Sequence, residues 1–347
     1  MMRQLYLAIL LPAIALLTGC AVHQWPEKEE QPVPAGDVTC VLRLRFHPEV
    51  TRWEHLYDVD TQQLTPIGQE EPVVYDNTQP EGIIRYIVRV YAQAASRVEL
   101  DHHVGEYLFT RRLSEEGYDF ETQLTLPEGA YTLAVWSDIW ESDAQLPRYD
   151  ATDFAQVELT DHAVNTDYRD AFRGMQDLTL TWEGSDAAPV EAEVAMHRPM
   201  AKFEIVAEGL EDFLEQEQLR AARSGLDEYQ VVLAYTGYTP FAYNVLTDAL
   251  VDSRYGEQFL SGFRALDETS ASLGFDYVLV RPEESSTRVQ VGVFRKSGEP
   301  IALSEPLVVP LRRDHHTVIR GKFLSAHASG GFVGVDPGYD GDFNIFQ

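Results

Sequence analysis

Apolar residues recur at every second position over long stretches of this chain, and that period limits its fold more than any other feature. Side chains alternate faces along a strand, so period two sends one set into a core and the other set outside. Gly82 to Gln93 carries Ile84, Tyr86, Val88 and Val90 on one face, with Arg85 and Arg89 on the other. Tyr118 to Leu126 and Tyr131 to Trp136 repeat the pattern around Pro127-Glu128-Gly129. Proline and glycine supply turn dihedrals there, so these two strands are expected to form a hairpin. Asp177 to Trp182 and Val190 to Met196 read as two further strands. Between them, Asp138 to Asp150 is polar and irregular, and Asn165 to Phe172 reads as a short helix or turn.

A second block begins near Pro199. Its expected strands are Ala201–Ala207, Tyr229–Thr236, Ser272–Arg281, Thr287–Lys296, Leu307–Leu311 and Thr317–Leu324. Leu210 to Ala222 has helical spacing instead, with Leu210, Phe213, Leu214 and Leu219 on one face and acids opposite. One helix among so many strands predicts an all-β chain of two β-sandwiches with short helical decorations, not a parallel α/β sheet. The length of 347 residues agrees with about two domains, and 44% hydrophobic with 24% charged residues is a globular composition. The expected units are an N-terminal sandwich over 38–198, a C-terminal sandwich over 199–325 and a Gly/Asp-rich tail over 326–347.

The N-terminus follows different rules. Met1-Met2-Arg3 is a short positive region, and the apolar run from Leu5 to Leu17 is too short to span a bilayer. It reads as a secretory signal over 1–19. The closing Leu17-Thr18-Gly19-Cys20 resembles the bacterial lipobox. That resemblance implies cleavage before Cys20 and acylation of its thiol, so the lipid bilayer is an expected partner. Each buried CH₂ of an acyl chain contributes about 0.8 kcal/mol, and several chains anchor stably. Residues 20–37, with Pro26, Pro32, Pro34 and Gly36 among acids, form an extended tether. Cys40 is then the remaining cysteine, which leaves no intrachain disulfide. It shares a strand face with Leu42, Leu44 and Phe46 and reads as a small core residue.

The formal net charge of −29 argues against nucleic acid, whose phosphates require clustered Lys and Arg. It argues equally against a polybasic attraction to anionic lipid. Nucleophile-elbow, zincin, P-loop, dinucleotide and paired-Cys zinc patterns are missing from the sequence. No catalytic residue, cofactor or metal is therefore expected. The pairs His102-His103 and His315-His316 put neighbours on opposite strand faces, so neither pair chelates one metal. Asp340-x-Asp342-x-Asn344, preceded by Asp336, opens like a calcium loop. A full loop needs Gly at its sixth place and a bidentate Glu at its twelfth, so a solvated acidic tail is the better reading. Phe343 and Ile345 alternate in that tail as a short terminal strand would. Such a strand either pairs with another chain's sheet edge or folds back on its own. Trp136-Ser137-Asp138-Ile139-Trp140 with Tyr149 is aromatic enough to stack a sugar ring, although core packing explains it equally.

Several motifs, in order, carry a wider resemblance. They include Arg85-Tyr86-Ile87-Val88-Arg89-Val90-Tyr91, Leu126-Pro127-Glu128-Gly129-Ala130-Tyr131, and Asp170-Ala171-Phe172-Arg173-Gly174. Arg198-Pro199-Met200-Ala201-Lys202-Phe203, Tyr235-Thr236-Gly237-Tyr238-Thr239-Pro240 and Val309-Pro310-Leu311-Arg312-Arg313-Asp314 continue the series. Together they resemble the fimbrial minor-subunit and anchor lipoproteins of Bacteroidales, and more closely an allied, uncharacterised lipoprotein family. The resemblance implies tandem transthyretin-like β-sandwiches lipid-anchored in the outer membrane and facing the cell surface. It implies anchoring or strand-mediated assembly with fimbrial or other envelope subunits, in which main-chain hydrogen bonds supply affinity. The alternative is a surface binding lipoprotein, for glycans, that reuses the scaffold without polymerising. The tail beyond Ser325 belongs with the uncharacterised relatives rather than the fimbrial anchors.

Overall fold

The computed structural model describes residues 36–327 except 74–81, 95–96, 99–102, 114–116, 143–145, 161–163, 185–186 and 218–222. The chain is all-β, as the period predicts, and its strands assemble into stacked sheets. In the first sandwich, Asp37–Phe46 lies between Val190–Met196, to which it runs parallel, and Phe120–Pro127, to which it runs antiparallel. This three-stranded sheet faces a five-stranded one built on the antiparallel pair Ile83–Ala94 and Gly129–Trp140. Cys40, Leu42 and Leu44 meet Ile84, Tyr86, Val88 and Leu133 between the two sheets, all fully buried. On the outer face of the three-stranded sheet, Arg43 pairs with Glu121 and Glu191, and Arg45 with Asp119 and Glu193. One wet face and one dry face give the clean alternation seen in the sequence.

The expected hairpin around Pro127-Glu128-Gly129 does not form. Phe120–Pro127 pairs with Asp37–Phe46, whereas Gly129–Trp140 pairs with Ile83–Ala94 and Ala171–Leu180 in the opposite sheet. Both strands bury a face in one core, through Leu124 and Leu126 on one side and Leu133 and Val135 on the other. Strands with that requirement stack face to face, so the turn carries the chain across the sandwich instead of reversing it within a sheet.

The second sandwich places Met200–Glu208 between Ser270–Leu279 and His315–Gly321, over a sheet of Tyr229–Tyr235, Ser285–Arg295 and shorter neighbours. Its sheet also contains Val50–Asp58, running parallel to His315–Gly321 and carrying Gln63–Pro66 at its edge. A division at Pro199 does not anticipate that strand, which the polar run Thr51 to His55 hides from any search for alternation. The helix expected over Leu210 to Ala222 is present over Leu210–Gln216 and buries Leu210 and Phe213.

A third layer joins the two blocks. Tyr149–Asp150 and Val157–Leu159 from the first pair with Tyr238–Asn244 and Ala249–Tyr255 from the second in one four-stranded sheet. That sheet covers the outer face of the five-stranded sheet, and Ile87, Tyr91 and Trp136 meet Tyr149, Val157 and Tyr243 beneath it. Gly129–Trp140 is consequently buried on both faces for most of its length. Arg85 and Arg89, on the face the alternation marks as polar, lie inside this covered layer. Each finds its counter-charge directly across a strand: Arg85 Nε donates to Asp138 at 2.9 Å and Arg89 Nε to Glu106 at 2.7 Å.

The two sheets of the first sandwich close on one flank. Arg173 and His197 exchange backbone hydrogen bonds of 2.9 Å across it. At Gly174 a Cβ would lie 2.5 Å from Val194 Cγ1 and 2.7 Å from the Ala195 carbonyl oxygen, closer than packed atoms approach. Gly174→Ala is expected to destabilise the fold by about 1–3 kcal/mol, the cost of overpacking a filled site. A urea titration comparing the variant with the wild type measures it, and an unchanged midpoint would contradict this close approach.

Candidate functional site

Cys20, Phe343 and Ile345 lie outside the described residues, as do Asp336, Asp340, Asp342 and Asn344. The other residues marked in the sequence have definite places. Cys40 is fully buried, and burial pushes its thiol up to about 11, which removes the thiolate a nucleophile needs. Trp136 and Tyr149 are core residues, not a sugar platform: Trp136 is fully buried and its Nε1 donates to Asp138 at 2.9 Å. His315 and His316 diverge as strand neighbours must. Nδ1 of His315 lies 2.7 Å from the Arg313 carbonyl oxygen, and Nε2 of His316 lies 3.3 Å from Glu204. Among the described residues no group of three His, Cys, Asp or Glu is placed to hold a metal.

The densest charged cluster sits where the sandwiches join. Arg198 is 5% exposed and donates from Nε to both oxygens of Asp170, at 2.8 and 3.0 Å, and from Nη2 at 2.8 Å. The same guanidinium reaches the carbonyl oxygens of His47, Pro48 and Glu49 at 3.3, 2.8 and 3.2 Å and lies over the Phe172 ring. Arg198 therefore pins two crossings between the blocks, at 47–49 and 197–199, and the His47 and His197 rings stack 5.2 Å apart beside it. Burial pushes the Asp170 carboxyl up, and the Arg198 charge opposes that shift. Around them Lys202 reaches Asp167 at 2.7 Å, and buried Arg169 pairs with Asp276. Tyr235 also donates to Asp276, at 2.6 Å. Every ion here has a specific partner, and the cleft that reaches Arg169, Tyr235 and Asp276 holds only about 40 Å³, too little for a substrate; the cluster is a joint. Sequence reading missed it because Arg198 and Asp170 meet only through the tertiary fold.

The opposite flank of the first sandwich differs. Gly105–Arg112 pairs only with Ile83–Ala94, and Phe120–Pro127 only with Asp37–Phe46, among the described residues. Two strand edges thus lie side by side, one from each sheet. Phe109 and Phe120 bring their rings to 5.0 Å between them, and Tyr107, Phe109, Tyr118 and Phe120 pack half-buried against the core. Leu108 stands outward and is 47% exposed. At one end Arg111 closes the gap, donating to the Tyr86 hydroxyl and the Gly117 carbonyl oxygen at 2.9 Å each. An edge of this kind leaves a row of backbone donors and acceptors available to an added strand. Chemically it can offer hydrogen bonds and apolar contact and no reactive group.

Residues 46–346 match the model of a family of unknown function. Among solved structures, the chain is similar to a protein of Bacteroides thetaiotaomicron described as a candidate adhesin. Identity is 12%, coverage is 86% of this chain and 95% of that one, and the TM-score is 0.44. It is also similar to the fimbrial anchor protein Mfa2 of Porphyromonas gingivalis, at 12% identity over 73% and 82% of the two chains, TM-score 0.37. The tip fimbrial protein Mfa3 of the same organism, C-terminally truncated, shows 11% identity over 79% and 81%, TM-score 0.38. No protein with a curated description matches the chain.

Arg198→Met leaves Asp170 buried without its counter-charge and is expected to cost about 3–5 kcal/mol. The double variant Arg198→Met with Asp170→Leu is expected to recover part of that loss. Chemical denaturation of the three proteins decides the matter, and a neutral single variant would contradict a buried, paired joint.

Proposed function

The chain belongs to DUF6562, a family of unknown function, and from that premise we propose that it is a structural lipoprotein of the cell envelope that anchors or joins other subunits by strand pairing. The observation that carries this reading is the open flank, where Gly105–Arg112 and Phe120–Pro127 present unpaired edges around half-buried aromatic rings. Strand addition draws its affinity from main-chain hydrogen bonds and its register from alternate side chains. The flank supplies the first through its edges and the second through Tyr107 and Phe109, which point inward at alternate positions.

In this reading Cys20 carries the lipid, residues 20–37 lift the body from the outer membrane, and the surface faces outward. The units over 38–198 and 199–325 belong to the same proposal, with Val50–Asp58 lent by the first segment to the second sandwich. Phe343 and Ile345 form the pairing strand that this chain would offer to another.

A photo-crosslinking side chain placed at Leu108 in intact expressing cells tests the open flank. Leu108 is expected to capture an envelope subunit, whereas Trp182, equally accessible at 41% exposed but following the strand on the closed flank, is not. Equal capture at both sites, or none at Leu108, would overturn the assignment. For the anchor, Cys20→Ala is expected to move the protein out of the membrane fraction, and retention there would contradict acylation at Cys20.

A further inference from the structure

Tyr238 and Tyr255 are the most exposed aromatic side chains among the described residues, at 73% and 63%. They face each other across the hairpin of Tyr238–Asn244 and Ala249–Tyr255, as its outermost cross-strand pair, with ring centroids 5.3 Å apart. An aromatic pair buries apolar area most effectively in a core, so two rings left in water at one spot call for an explanation that burial does not give.

Beside them opens a cleft of about 510 Å³, between this hairpin and the segment 278–287 of the second sandwich. Tyr238 forms one wall. That volume falls within the ~300–1,000 Å³ of small-ligand sites, but such sites are ordinarily lined by apolar groups. This one carries Asp252, Ser253, Arg281, Glu284, Ser285 and Ser286. Arg281 is exposed and makes no ion pair or hydrogen bond to any described residue. Asp252 is exposed, makes no ion pair among the described residues, and accepts only from the Ser253 backbone, at 2.7 Å.

We propose that this cleft binds a neutral glycan, with Tyr238 and Tyr255 packing against a sugar ring. A pyranose has an apolar C–H face and a rim of hydroxyls that both donate and accept. A tyrosine ring matches the face while keeping its own hydroxyl in water. The carboxylate of Asp252 accepts from hydroxyl pairs, the Arg281 guanidinium donates in a planar fork, and the serines do either. Asp252 and Arg281 carry opposite charges and the third charge in the lining, Glu284, is paired with Arg312, so nothing in the cleft selects an ion, and a net charge of −29 repels polyanions from the surface around it. The site lies on the second sandwich and the shared sheet, away from the strand edges of the first, and stands whether or not those edges join other subunits. It also takes the sugar-binding role from Trp136, which the core claims.

Affinity electrophoresis of the full chain through gels containing laminarin, mannan, xylan, dextran or polygalacturonate tests the proposal. At least one neutral polysaccharide is expected to retard the wild type. Tyr238→Ala with Tyr255→Ala is expected to weaken that interaction about tenfold, the scale of losing two stacked rings. Arg281→Ala is expected to weaken it severalfold; its side chain pairs with none of the described residues, so its loss reads on binding. Leu260→Ala, exposed elsewhere on the second sandwich, is expected to bind as the wild type does. Retardation by none of the neutral polymers, or by polygalacturonate alone, would overturn the neutral-glycan assignment. Unchanged binding by both the tyrosine double variant and Arg281→Ala would overturn the cleft as its site.

Discussion

A single guanidinium holds the places where the chain passes from one sandwich to the other. Arg198 bonds Asp170 through three contacts and the carbonyl oxygens of 47–49 through three more, all in a site closed to water. A buried charge is tolerable only when paired and fully hydrogen-bonded, so this geometry admits little slack. Once the crossings at 47–49 and 197–199 are fixed together, Val50–Asp58 is set beside His315–Gly321. Met200–Glu208 is then set on the other side of that same strand. The second sandwich inherits its central order from that joint.

The same crossing decides which surfaces remain. Beyond His197 the two sheets of the first sandwich meet at Gly174, where their backbones approach too closely for any side chain. The shared four-stranded sheet takes the outer face of the five-stranded one, with Trp136 and Tyr243 beneath it. The outer face of the three-stranded sheet is occupied by the ion pairs of Arg43 and Arg45. The flank of Gly105–Arg112 and Phe120–Pro127 is left with strand edges that have neither a partner nor a cover among the described residues. Edges of that kind invite association, and natural folds usually blunt them. Here half-buried aromatic rings lie between them, which an added strand would cover.

How much of this the sequence discloses depends on which face of a strand meets water. Val190–Met196 and Phe120–Pro127 alternate cleanly because their sheet is wet on one side, and their existence is plain from period two alone. Arg85 and Arg89 obey the same alternation, but Arg89 is buried and Arg85 largely covered, since a second layer made of 149–159 and 238–255 lies over them. Charge on a strand face marks solvent only when no later segment brings a cover and a carboxylate. Asp138 and Glu106 stand directly across from the two arginines, in strands whose pairing the sequence does not state. The false hairpin at Pro127-Glu128-Gly129 has the same origin: turn residues specify a local bend, while the choice between one sheet and two belongs to the core. Cys40 was legible because its burial follows from its own strand. The joint of Arg198 was not, because its hydrogen-bond and ring partners come from two distant stretches of chain, 47–49 and 170–172. The exposure of Tyr238 and Tyr255 was equally hidden in a strand that reads as ordinary.

The open flank is most directly tested by amide hydrogen exchange along the edges of the first sandwich. In an antiparallel edge strand alternate amides face the neighbour and the others face outward. The outward amides of Gly105–Arg112 are predicted to exchange rapidly, while the Arg173 amide, bonded to the His197 carbonyl oxygen on the closed flank, stays protected. Uniform slow exchange along Gly105–Arg112 would show that another segment already covers the edge, and would contradict a flank left open for a strand from outside.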